Sequence, residues 1–367
     1  MPSSGVVDTG AVSSPRSKNP VMFDVARLAG VSHQTVSRVL NGKPGVSDPV
    51  RERVEVAIAQ LGYRRNTTAR ALATRRSMNI GVISVGTSQY GPATTLLGIA
   101  DAARRAGYTT SLVSLADSEI NSGGMKDALD HLLDNAVDGI ILMTPVAAAL
   151  SAADGLSANV PMVLFQPGAR PGIDHRPRIA VDEMLGARLA TRHLLDLGHE
   201  TVWHLAGPDG WLGTDARIRG WRDELTDSRR VAPPVFTGDW SPASGFAAAK
   251  EIVDRPEVTA LFVANDQMAL GVLHALHQYG RAVPAAVSIV GFDGTPESEF
   301  YEPSLTTVRL DFAEAGRRCV GQLLEAIDPT PTTAGAHRDG PLSSVTTAPV
   351  LIPPELVIRG SSAPPSR

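Results

Sequence analysis

The sequence has one cysteine, Cys319, in 367 residues. An internal disulfide framework is therefore excluded, and a lone thiol in an apolar helical stretch reads as packing in a reducing compartment. No apolar run reaches the roughly 18 residues of a membrane span. The first 19 residues are polar and rich in Ser, Gly and Pro, without the apolar core of a secretory signal. A cytoplasmic protein with no membrane partner is expected. A Walker-type phosphate loop and a Gly-x-Ser-x-Gly elbow are both missing. His274 and His277 are three apart on a predicted helix, and His199 and His204 flank a strand. Neither pair has a carboxylate or Cys partner in metal order, so solvated or core histidines account for them better. No catalytic residue, cofactor or metal is predicted. No leucine heptad closes the chain, which favours a homodimer over a tetramer.

What is present is distributed unevenly. The formal net charge is -4, yet residues 1–78 carry twelve Lys/Arg against five Asp/Glu. The remainder holds 22 basic and 33 acidic residues. A basic head on an acidic body suits a polyanionic partner at one end only.

Within the head, Val25 to Asn41 reads as two short helices joined at Gly30. Ser32 occupies the N-cap position of the second, where a hydroxyl satisfies a free helical N–H. His33, Gln34, Ser37 and Arg38 then lie on its exposed side. Ala26, Leu28, Ala29, Val31, Val36, Val39 and Leu40 supply the faces that lock the pair together. Gln pairs bidentately with adenine and Arg with guanine, each worth about 1–3 kcal/mol of discrimination. A third helix is predicted, capped by Ser47, admitting Pro49 in its first turn and stopped by Gly62. Asn66 to Arg76 is, from composition alone, either a basic linker or a short, weakly stable helix.

From Asn79 onward strand and helix patterns alternate. Strands are expected at Ile80–Val85, Thr110–Leu115, Gly139–Met143 and Met162–Phe165, with a helix from Pro92 to Ala106. A second series runs through Ile179–Val181, Val202–Leu205, Leu261–Val263 and Ile289–Val290, and Leu356–Ile358 is a last strand. Such alternation predicts parallel sheets covered on both faces. Two in tandem predict two lobes with a cleft at the carboxyl ends of the strands. Those ends carry Arg217, Trp240, Asn265, Asp266 and Asp293. The mixture suits a sugar, with aromatic faces for C–H surfaces and Arg, Asp and Asn for vicinal hydroxyls. Three of them also have a structural alternative: Asp266 a helix cap, Trp240 core, Arg217 a surface ion pair. Asp266 and Asp293 could imitate a glycosidase pair, yet their neighbours match binding lobes.

The run Ser32-His33-Gln34-Thr35-Val36-Ser37-Arg38, with Gly238–Phe246, Val263–Gly271 and Ser288–Asp293, closely resembles the lactose/galactose repressor family over nearly the whole chain after residue 20. The resemblance implies that His33, Gln34 and Arg38 read base edges, while Ser32, Thr35 and Ser37 help with phosphates. It places Asn41, Asn66, Ala69 and Arg70 in the same DNA-binding set, and makes 66–77 a hinge helix whose Leu72 wedges into the minor groove. It further implies that Arg217 clamps sugar hydroxyls, Asn265 and Asp293 share them, and Trp240 stacks on a ring. Three departures stand out. Val21 follows Pro20 where a Thr cap is usual. Gln166 stands in place of an aspartate, and Val181 in place of an aromatic residue. With Tyr90 in the divergent loop Thr87–Tyr90, Gln166 and Val181 are the positions expected to tune the ligand, leaving a galactoside, a β-glucoside or another oligosaccharide open.

The fold expected is thus α/β: an all-α helix-turn-helix headpiece with hinge helix, then a two-lobed periplasmic-binding-protein-like domain of two parallel doubly wound sheets. Expected boundaries are a disordered extension over 1–20, the head over 21–65, the hinge helix over 66–77, an effector-binding and dimerisation domain over 78–360, and a disordered tail over 361–367. Lobe 1 should comprise about 79–178 and 310–345, lobe 2 about 179–306 and 348–360. The chain should cross between lobes near Arg178–Asp182, Thr306–Leu310 and Thr346–Pro349. A homodimeric transcriptional regulator is implied, partnered by pseudo-palindromic double-stranded operator DNA and a small saccharide that releases it. Alternatives are a corepressor ligand or activator role, and an extracytoplasmic sugar-binding protein, which would lack the head.

Overall fold

The computed structural model describes residues 20–40, 42–63, 76–167, 176–329 and 349–366. It divides into two units, Met1–Arg75 and Arg76–Arg367.

The first unit packs α1 (Met22–Ala29), α2 (His33–Leu40) and α3 (Asp48–Leu61) around Val25, Ala26, Ala29, Val36, Val39, Val54, Ala57 and Tyr63. Gly30 ends α1 at φ 66°, and the Val31 N–H closes the turn by donating to the Ala26 carbonyl at 3.0 Å. Only glycine takes that left-handed conformation without a side-chain penalty. Val21 offers no capping side chain. Asp24 partly replaces it, its Oδ2 accepting from the Val21 N–H at 3.0 Å. Ser32 caps α2 as expected, with Oγ accepting from the Thr35 N–H at 3.2 Å. Two expectations fail. Leu28 faces outward at 50% exposure, because Val25, Ala26 and Ala29 already fill the stripe facing the other helices. Ser47 sits at the N-cap of α3 without a side-chain bond, leaving Pro49 and Asp48 to begin that helix.

The second unit holds β1 (Asn79–Val85), α4 (Tyr90–Arg105), β2 (Thr109–Leu115), α5 (Ser122–Asp134), β3 (Gly139–Met143), α6 (Ala147–Asp154), β4 (Met162–Phe165) and β5 (Arg178–Val181). There follow α7 (Glu183–Asp196), β6 (Trp203–Ala206), α8 (Leu212–Asp227), β7 (Phe236–Thr237), α9 (Pro242–Val253), β8 (Ala260–Val263), α10 (Asp266–Gln278), β9 (Ser288–Asp293), β10 (Thr306–Arg309), α11 (Phe312–Ile327), β11 (Val350–Ile352) and β12 (Glu355–Val357). One sheet runs β11-β5-β4-β3-β1-β2, all parallel. The other runs β12-β10-β9-β8-β6-β7, parallel except that β12 joins β10 antiparallel. Strands β3, β4 and β5 are almost wholly buried, as parallel strands covered by helices must be. One apolar cluster includes Ile80, Val163 and Val181 of the first sheet with Phe262, Phe292 and Val308 of the second.

The lobes exchange chain at three places, and two expected assignments need correction. Strand β5 belongs to lobe 1, pairing with β4 and β11, so lobe 2 begins at Asp182. An apolar run of this length carries no mark of the sheet it joins. The third crossing lies at Pro353–Pro354, beyond the expected Thr346–Pro349, because β11 still pairs with β5 while β12 pairs with β10. The first two crossings share a device. Asp182 (φ -83°, ψ 76°) caps α7 through Leu185, and Asp311 (φ -85°, ψ 76°) caps α11 through Glu314. The tail is also corrected. Ser361 is fully buried, its Oγ donating to the Ile289 carbonyl and accepting from the Thr306 N–H. The Ala363 carbonyl approaches His199 Nε2 at 3.0 Å. These bonds dock residues that composition alone marked as unstructured.

Candidate functional site

On the head, α2 presents His33, Gln34 and Arg38 outward, with Ser37 half-buried beside them. With Met22 and Lys43 they line a shallow concavity. Phe23, to which no sequence pattern drew attention, stacks on the His33 ring at 5.3 Å. The Ser32 and Thr35 hydroxyls lie 2.9 Å apart, so the cap residue and the next hydroxyl are bonded to each other. Asn41, Asn66, Ala69, Arg70 and Leu72 lie outside the described residues, as does nearly all of the expected hinge helix.

In the body, the carboxyl ends of the lobe 2 strands converge on Arg217, carried by α8. Its Nε donates to Glu183 Oε2 at 3.2 Å, its Nη2 to Asp293 Oδ1 at 3.3 Å, and its Nη1 to the Ala264 carbonyl. The guanidinium lies 4.2 Å from the Phe292 ring centroid and 5.3 Å from that of Trp240. Arg217, Glu183 and Asp293 are all buried. A planar cation fixed by carboxylates and aromatic faces keeps its remaining N–H groups in one orientation, as recognition of paired acceptors requires.

The backbone is bent to build this group. Asp293 at φ 95° and Trp240 at φ 74° both adopt a left-handed conformation that ordinary side chains resist. Close approach by glycine makes the room. A Cβ at Gly207 would lie 2.1 Å from the Trp240 ring, and one at Gly213 would lie 2.5 Å from Glu183 Oε2. Asn265 bonds in two directions. Its Oδ1 caps α10 through the Met268 N–H at 2.8 Å, and its Nδ2 donates to the Trp240 carbonyl at 3.1 Å. Behind it, Asp266 accepts from the Thr307 hydroxyl at 2.6 Å and the Thr295 N–H at 2.7 Å.

Lobe 1 faces this group with Gln89, Tyr90, Gly91, Pro92, Pro145, Phe165, Pro167 and Phe312. The two sides are joined here by backbone hydrogen bonds. The Ala147 N–H donates to the Gly210 carbonyl and the Leu212 N–H to the Pro145 carbonyl, each at 2.9 Å. This short bridge sets Trp211 edge-on to Trp240 at 5.6 Å.

Five of the seven residues expected to bind the effector therefore line one cleft: Tyr90, Arg217, Trp240, Asn265 and Asp293. Gln166 and Val181 do not join its wall. Gln166 is fully buried, its Oε1 accepting from Arg178 Nη1 at 3.3 Å, and Val181 is core at the end of β5. Glu183, Trp211 and Phe312 were missed. Glu183 is hidden in sequence as an ordinary acid in a helix's first turn, and the other two as ordinary core aromatics.

Burial governs the electrostatics. It pushes the Asp293 carboxyl up to about 6 despite the opposing pull of Arg217, and Asp266 up to about 7 despite the Thr307 bond. His204, enclosed by Phe262 and Trp221, is driven down to about 3 by burial and is a neutral core ring. Among the described residues no three His, Cys, Asp or Glu side chains gather as a metal site. No described helix is long and apolar enough to cross a membrane.

Residues 21–66 match the family model of bacterial regulatory proteins, lacI family, and residues 191–362 match a periplasmic binding protein-like domain. The chain is 36% identical over 313 residues to the lactose operon repressor of Escherichia coli (strain K12), covering 84% of this chain and 85% of that protein. In structure it is similar to the lac repressor dimer bound to operator and the anti-inducer ONPF, with TM-score 0.77 and 33% identity over 94% of this chain and 100% of that one. A transcriptional regulator CelR–cellobiose complex gives TM-score 0.63 and 29% identity, with the same coverage.

Proposed function

Because the chain belongs to the lacI family of bacterial regulatory proteins, we propose that it is a cytoplasmic, homodimeric repressor of sugar-utilisation genes, released from operator DNA by a small saccharide, a galactoside or β-glucoside. The observation that carries this reading is the Arg217 guanidinium, immobilised between Glu183 and Asp293 against Phe292 and Trp240 at the interlobe cleft. Bidentate polar groups beside aromatic faces are what a sugar ring demands. His33, Gln34 and Arg38 select the half-site, and Ser32, Thr35 and Ser37 serve the phosphates. The two carboxylates of the cleft wall, Glu183 and Asp293, are both tied to Arg217, which supports binding over the free acid and nucleophile pair of a glycosidase.

Saccharide in the cleft changes the angle between lobes about Asp182, Leu310–Asp311 and Pro353–Pro354, and so the spacing of the paired heads. By linkage, operator must weaken saccharide affinity by the factor that saccharide weakens operator affinity. The test is fluorescence anisotropy of labelled operator, selected from random DNA, titrated in the presence of a mono- and disaccharide panel. At least one saccharide should lower operator affinity. A ligand that raises it would make the protein corepressor-dependent, and a panel without effect would overturn the saccharide reading.

A further inference from the structure

We propose that Glu183 sets the charge selectivity of the cleft, so that it takes uncharged polyhydroxy ligands and rejects anionic ones such as phosphorylated saccharides. The inference rests on the saccharide reading above. Glu183 is the first residue of α7, a position where an acid ordinarily faces solvent and the helix N-terminus. Here the side chain turns inward and is only 3% exposed. It fits because residue 213 is glycine: a Cβ there would lie 2.5 Å from Oε2.

The consequence is a charge imbalance. One guanidinium serves two buried carboxylates, and it is further occupied by the Ala264 carbonyl. The resulting field is visible on its neighbours. Glu183 adds to the burial that raises Asp293, and Tyr90, on the opposite lobe, is raised first by burial and then by Asp293. Arg217 therefore offers an incoming anion little net attraction, while the acids repel it across a poorly solvated gap. A hydroxyl meets the reverse situation. Carboxylate oxygens accept its proton, and the buried Trp240 Nε1–H, without a partner among the described residues, is a donor available to its oxygen.

The test is isothermal titration of the full-length protein with cellobiose, lactose and the 6-phosphate of each. A neutral disaccharide should bind at least about 30-fold more tightly than its phosphate, the scale set by one unit charge a few ångströms from an uncompensated carboxylate. E183Q should narrow that ratio about tenfold. Equal wild-type affinity for the neutral and phosphorylated forms would overturn the inference while leaving the saccharide reading intact. An unchanged ratio in folded E183Q would remove Glu183 from the role. Should E183Q fail to fold, Gly213→Ala, which displaces the carboxylate without deleting it, gives the same readout. Absence of binding by any saccharide would overturn both readings.

Discussion

Lobe 1 orders its strands β11-β5-β4-β3-β1-β2 and lobe 2 orders its own β12-β10-β9-β8-β6-β7, so the two are built on one plan. Their contributions to the cleft differ. Lobe 2 supplies Glu183, Arg217, Asn265 and Asp293, all buried and bonded to one another or to backbone. Lobe 1 supplies Tyr90, Phe165, Phe312 and three prolines, with no charged side chain among the described residues. Polar groups are thus concentrated on one lobe, and an apolar wall of the other covers them. A ligand that must touch both to be desolvated draws them together, whereas one held by lobe 2 alone would not. The polar half requires two non-glycine residues in left-handed backbone, with close glycine approaches at Gly207 and Gly213, while lobe 1 has close approaches of its own at Gly86 and Gly91.

Removing the centre of the polar half should have the largest effect. Arg217→Ala leaves Glu183 and Asp293 buried without a counter-ion, a change that costs about 3–5 kcal/mol when one partner of a buried pair is lost. The body should melt well below wild type. Saturating saccharide, which at 100 times its dissociation constant adds about 2.7 kcal/mol to a binding-competent protein, should no longer raise the melting temperature. A variant as stable as wild type, and still shifted by ligand, would show that the acids do not depend on this guanidinium.

Proton linkage offers a gentler probe of the same lobe. Burial holds the Asp266 carboxyl at about 7, above its ordinary 3.8. A raised acid is most favourable to the fold when protonated in both states, below pH 3.8. Its contribution falls as pH rises and is lost through about pH 7, with a limiting slope of about 1.4 kcal/mol per pH unit. His204, lowered to about 3, acts oppositely: its contribution is present above about pH 6.5 and is lost as pH falls toward 3. Asp266→Asn removes the first effect alone. Denaturant titrations between pH 4 and 7 should therefore show the variant's stability rising more steeply with pH than wild type. Parallel curves would mean Asp266 is ionised throughout.

What the sequence revealed and concealed follows the same division. Alternating apolar runs located nine of the twelve strands, and caps and glycine stops the three helices of the head, because periodicity and helix termini are local signals. Lobe membership of β5 and the position of the third crossing were not local: they depend on which strand pairs with Arg178–Val181 and Val350–Ile352. In the cleft, Arg217, Trp240, Asn265 and Asp293 stood out because polar and aromatic residues followed strand ends. Glu183 did not, since an acid opening a helix is commonplace, and its inward turn is permitted only by Gly213, far along the chain. Gln166 and Val181 were expected at the cleft by resemblance, but Val181 is core at the end of a strand buried on both faces, and Gln166, just past β4, is buried on Arg178. Ser361–Ala363 looked unstructured by composition and is ordered by backbone and hydroxyl bonds that composition does not reveal.

The smallest effect should come from the covering lobe. Tyr90 is half-buried, its ring edge-on to Phe312 at 6.1 Å, with the phenol the one protic side chain besides Gln89 that lobe 1 brings to the cleft among the described residues. Tyr90→Phe keeps the ring and deletes one hydroxyl, so a single neutral hydrogen bond, about 0.5–1.5 kcal/mol, bounds the loss. Saccharide affinity should weaken less than about tenfold by titration calorimetry, with the melting temperature unchanged. If lobe 1 only covers the ligand, the operator response at saturating saccharide should also persist. A loss in Tyr90→Phe as great as in Arg217→Ala would instead divide recognition between the lobes, and closure would then follow from polar contacts made by both sides rather than from burial of an apolar cover.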